Sequence, residues 1–519
     1  MLGGGSAAME MWTKERIHDL VADRLSGVKL IVVSNREPYI HVRDGRRIVC
    51  TTAASGLTTA LDPILRASGG VWVAHGSGDS DREMVDFRDH VHVPPEAPAY
   101  TLRRVWLPKQ MEEEYYYGLA NEGLWPLCHV AFHRPRFSAK NWASYRDANA
   151  LFADAILEEA DGGAALVFIQ DYHFALLPRI LKTHNPRLTL AQFWHIPWPN
   201  RETFRAFPWK DELLDGMLGN DLLGFHLQYH CANFLETIER SIEARVDNEH
   251  GFVTRNGHRT AVRAFPISID FEARSRMATR LTHGLATSQW NQELGTIPEI
   301  LGIGIDRIDY TKGIPERLQS IDRLLEEHPE YVGRLVFLQV GVPSRTAIAD
   351  YEALNRALQR QVDEINRKWA HPSWRPIVLV RRHFDQQALA ALELMADFCL
   401  VTSLHDGMNL VAKEFVASRV DGDGVLILSE FTGAARELAD ALIVNPFAVD
   451  EMAEVIHQAV NMPAEERRRR MNRMRSVVAE NNVYRWAGKI LLTLSKLDRD
   501  EVFCIPPFST SQTLAGVAQ

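Results

Sequence analysis

Short β-branched runs alternate with amphipathic helical stretches along nearly all of this 519-residue chain. That alternation is the tightest constraint on its fold. Strands joined through helices must run parallel, and the helices must cover both faces of the sheet. In the first half, residues 30–33, 71–74, 165–169 and 190–194 read as buried strands. In the second half, residues 300–305, 335–340, 377–380, 398–402 and 425–428 do the same. One helix follows Pro315, with Leu318, Ile321, Leu324 and Leu325 on one face. Another follows Asn409, with Leu410, Val411, Phe415 and Val416. Two such series predict an α/β chain of two doubly wound domains. The crossover falls at residues 266–270, after a strand-like run at 260–264. We divide the chain into a leader and first helix (1–28), a first domain (29–268), a second domain (269–480), a further helix (481–502) and a loose tail (503–519).

The hydrophobic fraction of 46% is ample for packed cores, and 58 basic against 67 acidic residues give a net charge of −9. An acidic chain is poorly suited to a nucleic acid backbone, so no nucleic acid partner is expected. Cys50, Cys128, Cys231, Cys399 and Cys504 are far apart and form no C-x-x-C pair. Neither a zinc site nor a disulfide framework is indicated, and buried thiols suit a reducing cytoplasm. No apolar run approaches the roughly 18 residues of a membrane helix, so no membrane partner is expected. The first 16 residues lack the apolar core of a secretory signal; residues 3–6 read as a flexible leader, and residues 505–519 as a loosely held tail.

In open α/β sheets, ligands bind beyond the carboxyl ends of strands. Arg307 and Lys312 follow one such end in a single loop with a helix behind it. Two fixed cations and free helix N–H groups can hold a diphosphate; a solvated loop that only caps the helix is the alternative. After the next site-forming strand come His405, Asp406, Gly407, Met408 and Asn409. Gly407 permits close approach of backbone, Asn409 can cap a helix, and Asp406 and Glu414 can accept hydroxyl hydrogen bonds. Asp171 and His195 end two strands of the first half. Arg36 follows the first strand, Gly56 opens the next helix, and Arg345 follows another strand. Each arginine can bind a phosphate or a carboxylate. Tyr116 and Trp125 can edge a sugar, although aromatics at such spacing usually belong to the core.

Taken in order, IVVSNR, EYY with a downstream LWP, QDYH, HIPWP, DLLGFH, DRIDYTKGIPERL, PSR, DGMNLVAKE, GVLILSEFTGAARE and ALIVNP resemble the trehalose-6-phosphate synthase family of retaining glycosyltransferases. The resemblance covers residues 30–486. It implies the glycosyltransferase B fold, two Rossmann-like domains around a cleft, the first on the acceptor side and the second holding the nucleotide sugar. It implies that Arg307 and Lys312 hold the donor diphosphate, Glu414 the donor ribose, and Asp406 with the backbone of Gly407, Met408, Asn409, Leu410 and Val411 the transferred glucose and its phosphates. It places His195 beside the sugar and Asp171 near the reacting centre. Arg36, Tyr116, Trp125 and Arg345 become acceptor contacts, and Gly56 part of a donor-side loop. The helix around Trp486 is expected to pack back on the first domain. The partners implied are small molecules, a nucleoside diphosphate glucose and a sugar phosphate, with no cofactor and no metal. Such enzymes are often oligomeric, so a homo-oligomer is one expectation.

The chain departs from the family pattern at Ser55, where a Gly-Gly pair is usual, near His75, and at His405, where an Arg is usual. Arg36 continues as Glu37, Pro38 and Tyr39, as in related glucosylglycerol-phosphate synthases. Three readings follow: transfer to glucose 6-phosphate, transfer to another acceptor such as glycerol 3-phosphate, or a non-catalytic sugar-phosphate sensor. A sensor would be expected to lose donor residues, and this chain keeps Arg307, Lys312, Asp406 and Glu414. The sequence does not choose the donor base. It also ends before the phosphatase domain that some relatives carry.

Overall fold

The computed structural model describes residues 11–24, 27–52, 56–281, 290–295, 298–369, 371 and 374–500. The leader at 3–6, Ser55, Cys504 and the tail at 505–519 lie outside the described residues.

The first domain is built on β1 (Lys29–Arg36), the hairpin β2 (Tyr39–Asp44) and β3 (Arg47–Thr52), β4 (Val71–His75), β5 (His90–Val93), β6 (Tyr100–Val105), β7 (Ala165–Gln170), β8 (Thr189–Phe193), β9 (Leu222–Phe225), β10 (Arg245–Asp247), β11 (Phe252–Arg255) and β12 (His258–Ala264). Its main sheet runs β10-β11-β12-β9-β8-β7-β1-β4-β6-β5. The seven strands from β12 to β6 are parallel, and antiparallel strands close both edges. The parallel strands are buried on both faces, as helix-covered strands must be. The chain builds one side through β4 and β6, then returns through β7 to the other. The order therefore reverses between β1 and β7, and a crevice opens at their carboxyl ends.

The second domain carries β13 (Ile300–Arg307), β14 (Leu335–Val342), β15 (Ile377–Val380), β16 (Phe398–Val401), β17 (Val425–Ser429) and β18 (Leu442–Val444). They form a parallel sheet ordered β15-β14-β13-β16-β17-β18, reversing between β13 and β16. The helix after Pro315 is Ile314–Glu327, with Leu318, Ile321, Leu324 and Leu325 all buried. The chain crosses between the sheets after Ala264, and Asp270 caps helix Phe271–Arg280 by accepting from the Ala273 N–H. At the end of the chain helix Val483–Asp500 returns, and Trp486 packs on Phe168 and Phe193 of β7 and β8. No helix among the described residues is long and apolar enough to cross a membrane. Cys128, Cys231 and Cys399 are buried free thiols, and Cys50 is half-buried.

The β2–β3 hairpin was not foreseen from the sequence. It is held by a buried ionic cluster. Arg104 Nε donates to Glu37 at 2.8 Å, and its Nη2 lies 2.7 Å from Asp81 and 2.8 Å from His41 Nδ1. Burial and the bond to Asp81 push Glu37 up to about 8. Tyr39 in turn donates to Asp62. Glu37 and Tyr39, departures that had raised doubt about the acceptor, are thus spent on internal contacts. Arg104, Glu37 and Asp81 are fully buried, and removing one partner strands the others in a dry interior. Arg104→Leu should lower unfolding stability by about 3 kcal/mol in urea titrations. An unchanged midpoint would show that the cluster is not what secures the hairpin.

Candidate active site

The two reversal points face one another across the cleft, and one glycine lets them meet. A Cβ on Gly407 would lie 2.3 Å from the His195 carbonyl oxygen and 3.0 Å from the His226 ring. His226 Nε2 also bonds that carbonyl at 3.0 Å. A second bridge runs through His405. Its Nδ1 lies 2.6 Å from the His129 carbonyl and its Nε2 lies 3.2 Å from the Tyr229 hydroxyl. A carbonyl only accepts, so Nδ1 carries the proton and Nε2 accepts from Tyr229. In this chain His405 therefore joins the domains.

Three arginines converge from different strand ends. Arg36 closes β1 and donates to the Tyr116 hydroxyl at 3.0 Å. Arg345 donates to Asp309 at 3.2 Å and to Tyr351 at 2.6 Å, and its guanidinium sits 4.0 Å above the Trp125 ring. Arg307 closes β13 at 5.7 Å from the same ring. Among the described residues the Arg307 side chain makes no hydrogen bond or ion pair. Burial holds it below its ordinary pKa, and Arg345 and Arg36 add to that. Burial would raise the Tyr116 phenol, but Arg36, Arg345 and Arg307 outweigh it and bring the group down to about 8. Tyr116 lies in a wide helical segment, Glu113–Leu124, with π-type hydrogen bonding. Such segments are rare and recur at functional sites.

Lys312 closes the turn after Arg307 and donates to Asp406 at 2.5 Å. Asp406 also accepts from Ser403 at 3.2 Å and Asn409 at 3.1 Å. Lys312 overcomes the effect of burial and holds the Asp406 carboxyl well below the usual range. Asn409 caps helix Leu410–Ser418 by accepting from the Ala412 N–H. The first-turn N–H groups of that helix, on Leu410 and Val411, have no intrahelical partner and are available to an anion. Met408 is buried beneath them. Glu414 lies half-buried on the same helix, its pKa raised by burial against the pull of Arg274. Gly56 opens helix Gly56–Ser68, and the residues just before it, 53–55, lie outside the described set.

Asp171 and His195 end β7 and β8 side by side. Asp171 Oδ1 accepts from the His195 N–H at 3.1 Å. Burial lifts Asp171 to about 7 despite those backbone bonds and the nearby arginines. Burial, with a smaller effect from His173, drops His195 to about 3, so its ring is neutral. The Gln170 amide nitrogen donates to the Phe168 carbonyl, which leaves its oxygen 2.9 Å from His195 Nε2. Nε2 then carries the proton and Nδ1 is the acceptor. Asp171 has φ 71° and ψ 179°, a region nearly reserved for glycine. Arg345 at φ 51° and Asn409 at φ 80° are strained in the same sense. Strain of this kind concentrates where side-chain placement outweighs backbone comfort.

The structure thus brings Arg36, Tyr116, Trp125, Arg307 and Arg345 to one place, pairs Lys312 with Asp406, and sets Asp171 beside His195. Three residues with a part in the site were not singled out from the sequence. Asp309 anchors Arg345, Tyr351 shares that bond, and Gln170 orients His195. Asp309 had a signal, since it lies between Arg307 and Lys312 in the basic loop.

The chain is similar to known proteins over most of its length. The model of glycosyltransferase family 20 matches residues 28–496. A bifunctional trehalose-6-phosphate synthase/phosphatase of Thermoproteus tenax is 38% identical over 92% of the chain, which spans 65% of that protein's length. A trehalose-6-phosphate synthase of Mycolicibacterium vanbaalenii is 38% identical over 91% of the chain and 97% of its own length. A solved E. coli trehalose-6-phosphate structure bound with UDP-2-fluoro glucose superposes with TM-score 0.79 at 31% identity, over 90% of this chain and 99% of that one.

The raised Asp171 sets a pH dependence. The folded state holds its proton up to about pH 7, whereas the unfolded chain releases it near 3.8. Stability tied to this proton is present below pH 4 and is lost as pH rises to 7. Asp171→Asn keeps the oxygen that accepts from His195 and has no charge to bury. It should melt like the parent at pH 4 and be more stable at pH 8, by on the order of 3 kcal/mol. Parallel melting curves at both pH values would show that Asp171 is not held protonated.

Proposed function

The chain belongs to glycosyltransferase family 20, and on that footing we propose that it moves glucose from UDP-glucose to glucose 6-phosphate, giving α,α-trehalose 6-phosphate with retention at the transferred carbon. One observation carries the reading: four cations, Arg36, Arg345, Arg307 and Lys312, stand at one end of the cleft, and among the described residues only Asp309 and Asp406 form ion pairs with them. A diphosphate and a monophosphate supply the missing charge. The uridine donor is supported by the similarity to the structure bound with UDP-2-fluoro glucose. The acceptor is supported by the relatives' being trehalose-6-phosphate synthases, since by atom balance that product requires a glucose phosphate.

In this reading the donor diphosphate lies on Arg307, Lys312 and the N–H groups of Leu410 and Val411. Glu414 takes the ribose hydroxyls. Asp406, freed from Lys312 by the phosphates, accepts from the glucose hydroxyls over the Gly407 and Met408 backbone, with Asn409 bracing it. Gly56 belongs to the donor-side loop. Arg36, Arg345 and Tyr116 grip the acceptor phosphate, and Trp125 packs against the sugar. The acceptor oxygen bonds to the glucose carbon on the face from which the phosphate oxygen departs. That departing oxygen takes the acceptor proton, and UDP leaves. Arg307 and Lys312 stabilise the growing charge, the role a metal would otherwise fill, so no metal is required. His195, being neutral, can bond a sugar hydroxyl without placing positive charge beside a carbon that is itself becoming cationic. Asp171 orients the acceptor hydroxyl beside it.

Nucleotide release from UDP-, GDP- and ADP-glucose, each offered glucose 6-phosphate or glycerol 3-phosphate, tests the proposal. Release with UDP-glucose and glucose 6-phosphate, with a trehalose phosphate product, is expected. Release only with glycerol 3-phosphate would overturn the acceptor, and none with any pair would overturn the reading. Arg307→Ala should lower kcat by about 10²–10³-fold, the scale for losing a preorganised charge partner. Tyr116→Phe should raise the KM for glucose 6-phosphate by about tenfold and leave the donor KM alone, as loss of one charge-assisted contact would.

A further inference from the structure

A loop of the first domain reaches over the cleft and touches both basic turns of the second. It leaves helix Trp125–His129 through Val130 and runs to residue 138. Its His133 ring lies flat on the Tyr310 ring, with centroids 3.9 Å apart and planes 6° from parallel. Tyr310 stands between Arg307 and Lys312, and its other neighbour is Tyr351, 5.4 Å away. His133 Nε2 also faces Asp350 at 3.5 Å, and Arg136 reaches the same carboxylate at 3.2 Å. Asp350 follows Arg345 by five residues, at the head of helix Ala349–Lys368.

The backbone is bent to allow this. Val130 has φ 50° and Phe132 has φ 56°, left-handed values that a β-branched or bulky residue resists. The Arg136 N–H is tied back to the Glu122 carbonyl at 2.7 Å, at the end of the wide helical segment that carries Tyr116. The strained loop is therefore fixed at its base on the side of Tyr116 and at its tip on the turn of Arg307 and Lys312. The Asp350 ion pairs are partly exposed to solvent and contribute little on their own. The flat stack carries the contact.

We propose that His133 is a positioning residue: by stacking on Tyr310 it sets the turn bearing Arg307 and Lys312 for the donor diphosphate. This rests on the donor site proposed above. It touches neither the sugar nor the reacting carbon, so its loss should weaken donor binding and spare turnover.

The full chain tests this with UDP as the probe, by calorimetry, alongside steady-state kinetics and melting curves. His133→Ala should weaken UDP binding and raise the UDP-glucose KM by about tenfold, the scale of a lost aromatic contact. Its kcat should stay within about threefold, since binding is lost equally from ground and transition states, and its melting temperature should fall by no more than the few degrees one lost ring contact costs. His133→Phe keeps the stack without the ion pair and should restore UDP affinity to within about twofold. Unchanged UDP affinity in His133→Ala, or a Phe variant as weak as the Ala variant, would overturn the proposal. A parent protein that binds UDP yet transfers no glucose would sink the functional reading, and the UDP comparison would still decide this one. A parent that binds no UDP would sink both.

Discussion

Like charges crowd one end of this cleft, and the rest of the molecule is arranged to tolerate them. Arg345 has Asp309 and Lys312 has Asp406, but Arg36 has only a phenol and the Arg307 side chain has no hydrogen-bonded or ion-pair partner among the described residues. Bringing such groups together away from water is unfavourable by itself. It persists because Arg36 and Arg307 close buried parallel strands and Lys312 and Arg345 lie in the turns that follow such strands, held there by Asp406 and Asp309. Tyr116 shows how strongly the cations act, since three arginines bring its phenol down to about 8 against the effect of burial. A phosphate meets the same need with more charge. Affinity for anions is in this sense stored in the folded state.

The sheets were legible in the sequence because both faces of a helix-covered strand must be apolar, and such runs stand out. Every strand anticipated from those runs is present, Pro315 falls in the first turn of its helix as expected, and the helix after Asn409 begins where its cap predicts. The basic loop was legible for a related reason. Arg307 and Lys312 sit five residues apart, so one turn must hold both.

What stayed hidden depends on partners far apart in the chain. Glu37 and Arg104 are separated by 67 positions and Tyr229 and His405 by 176, and nothing local marks either pair. A short apolar hairpin with an ionic anchor looks like a loop until Arg104 is placed. Glu37 and His405 both departed from the family pattern, yet one holds the hairpin and the other joins the domains. A substitution near a binding motif need not change the ligand; it can change how the walls of the site are held together.

The two groups that the proposed reading sets at the reacting centre show why that holding matters. Asp171 and His195 are adjacent, and burial shifts them in opposite directions, the acid to about 7 and the base to about 3. In both cases the dry environment favours the neutral form. In the proposed reaction a charged histidine would stand beside the carbon that gains positive character, so the neutral ring suits that step. Part of the burial at that point comes from the second domain, whose Gly407 lies against the His195 carbonyl. Closure, the neutral histidine and the raised aspartate are therefore linked. Any side chain added at Gly407 would reopen the cleft, admit water to His195 and Asp171, and return both toward their ordinary ionisation, with Arg307 and Lys312 still in place and able to bind a diphosphate.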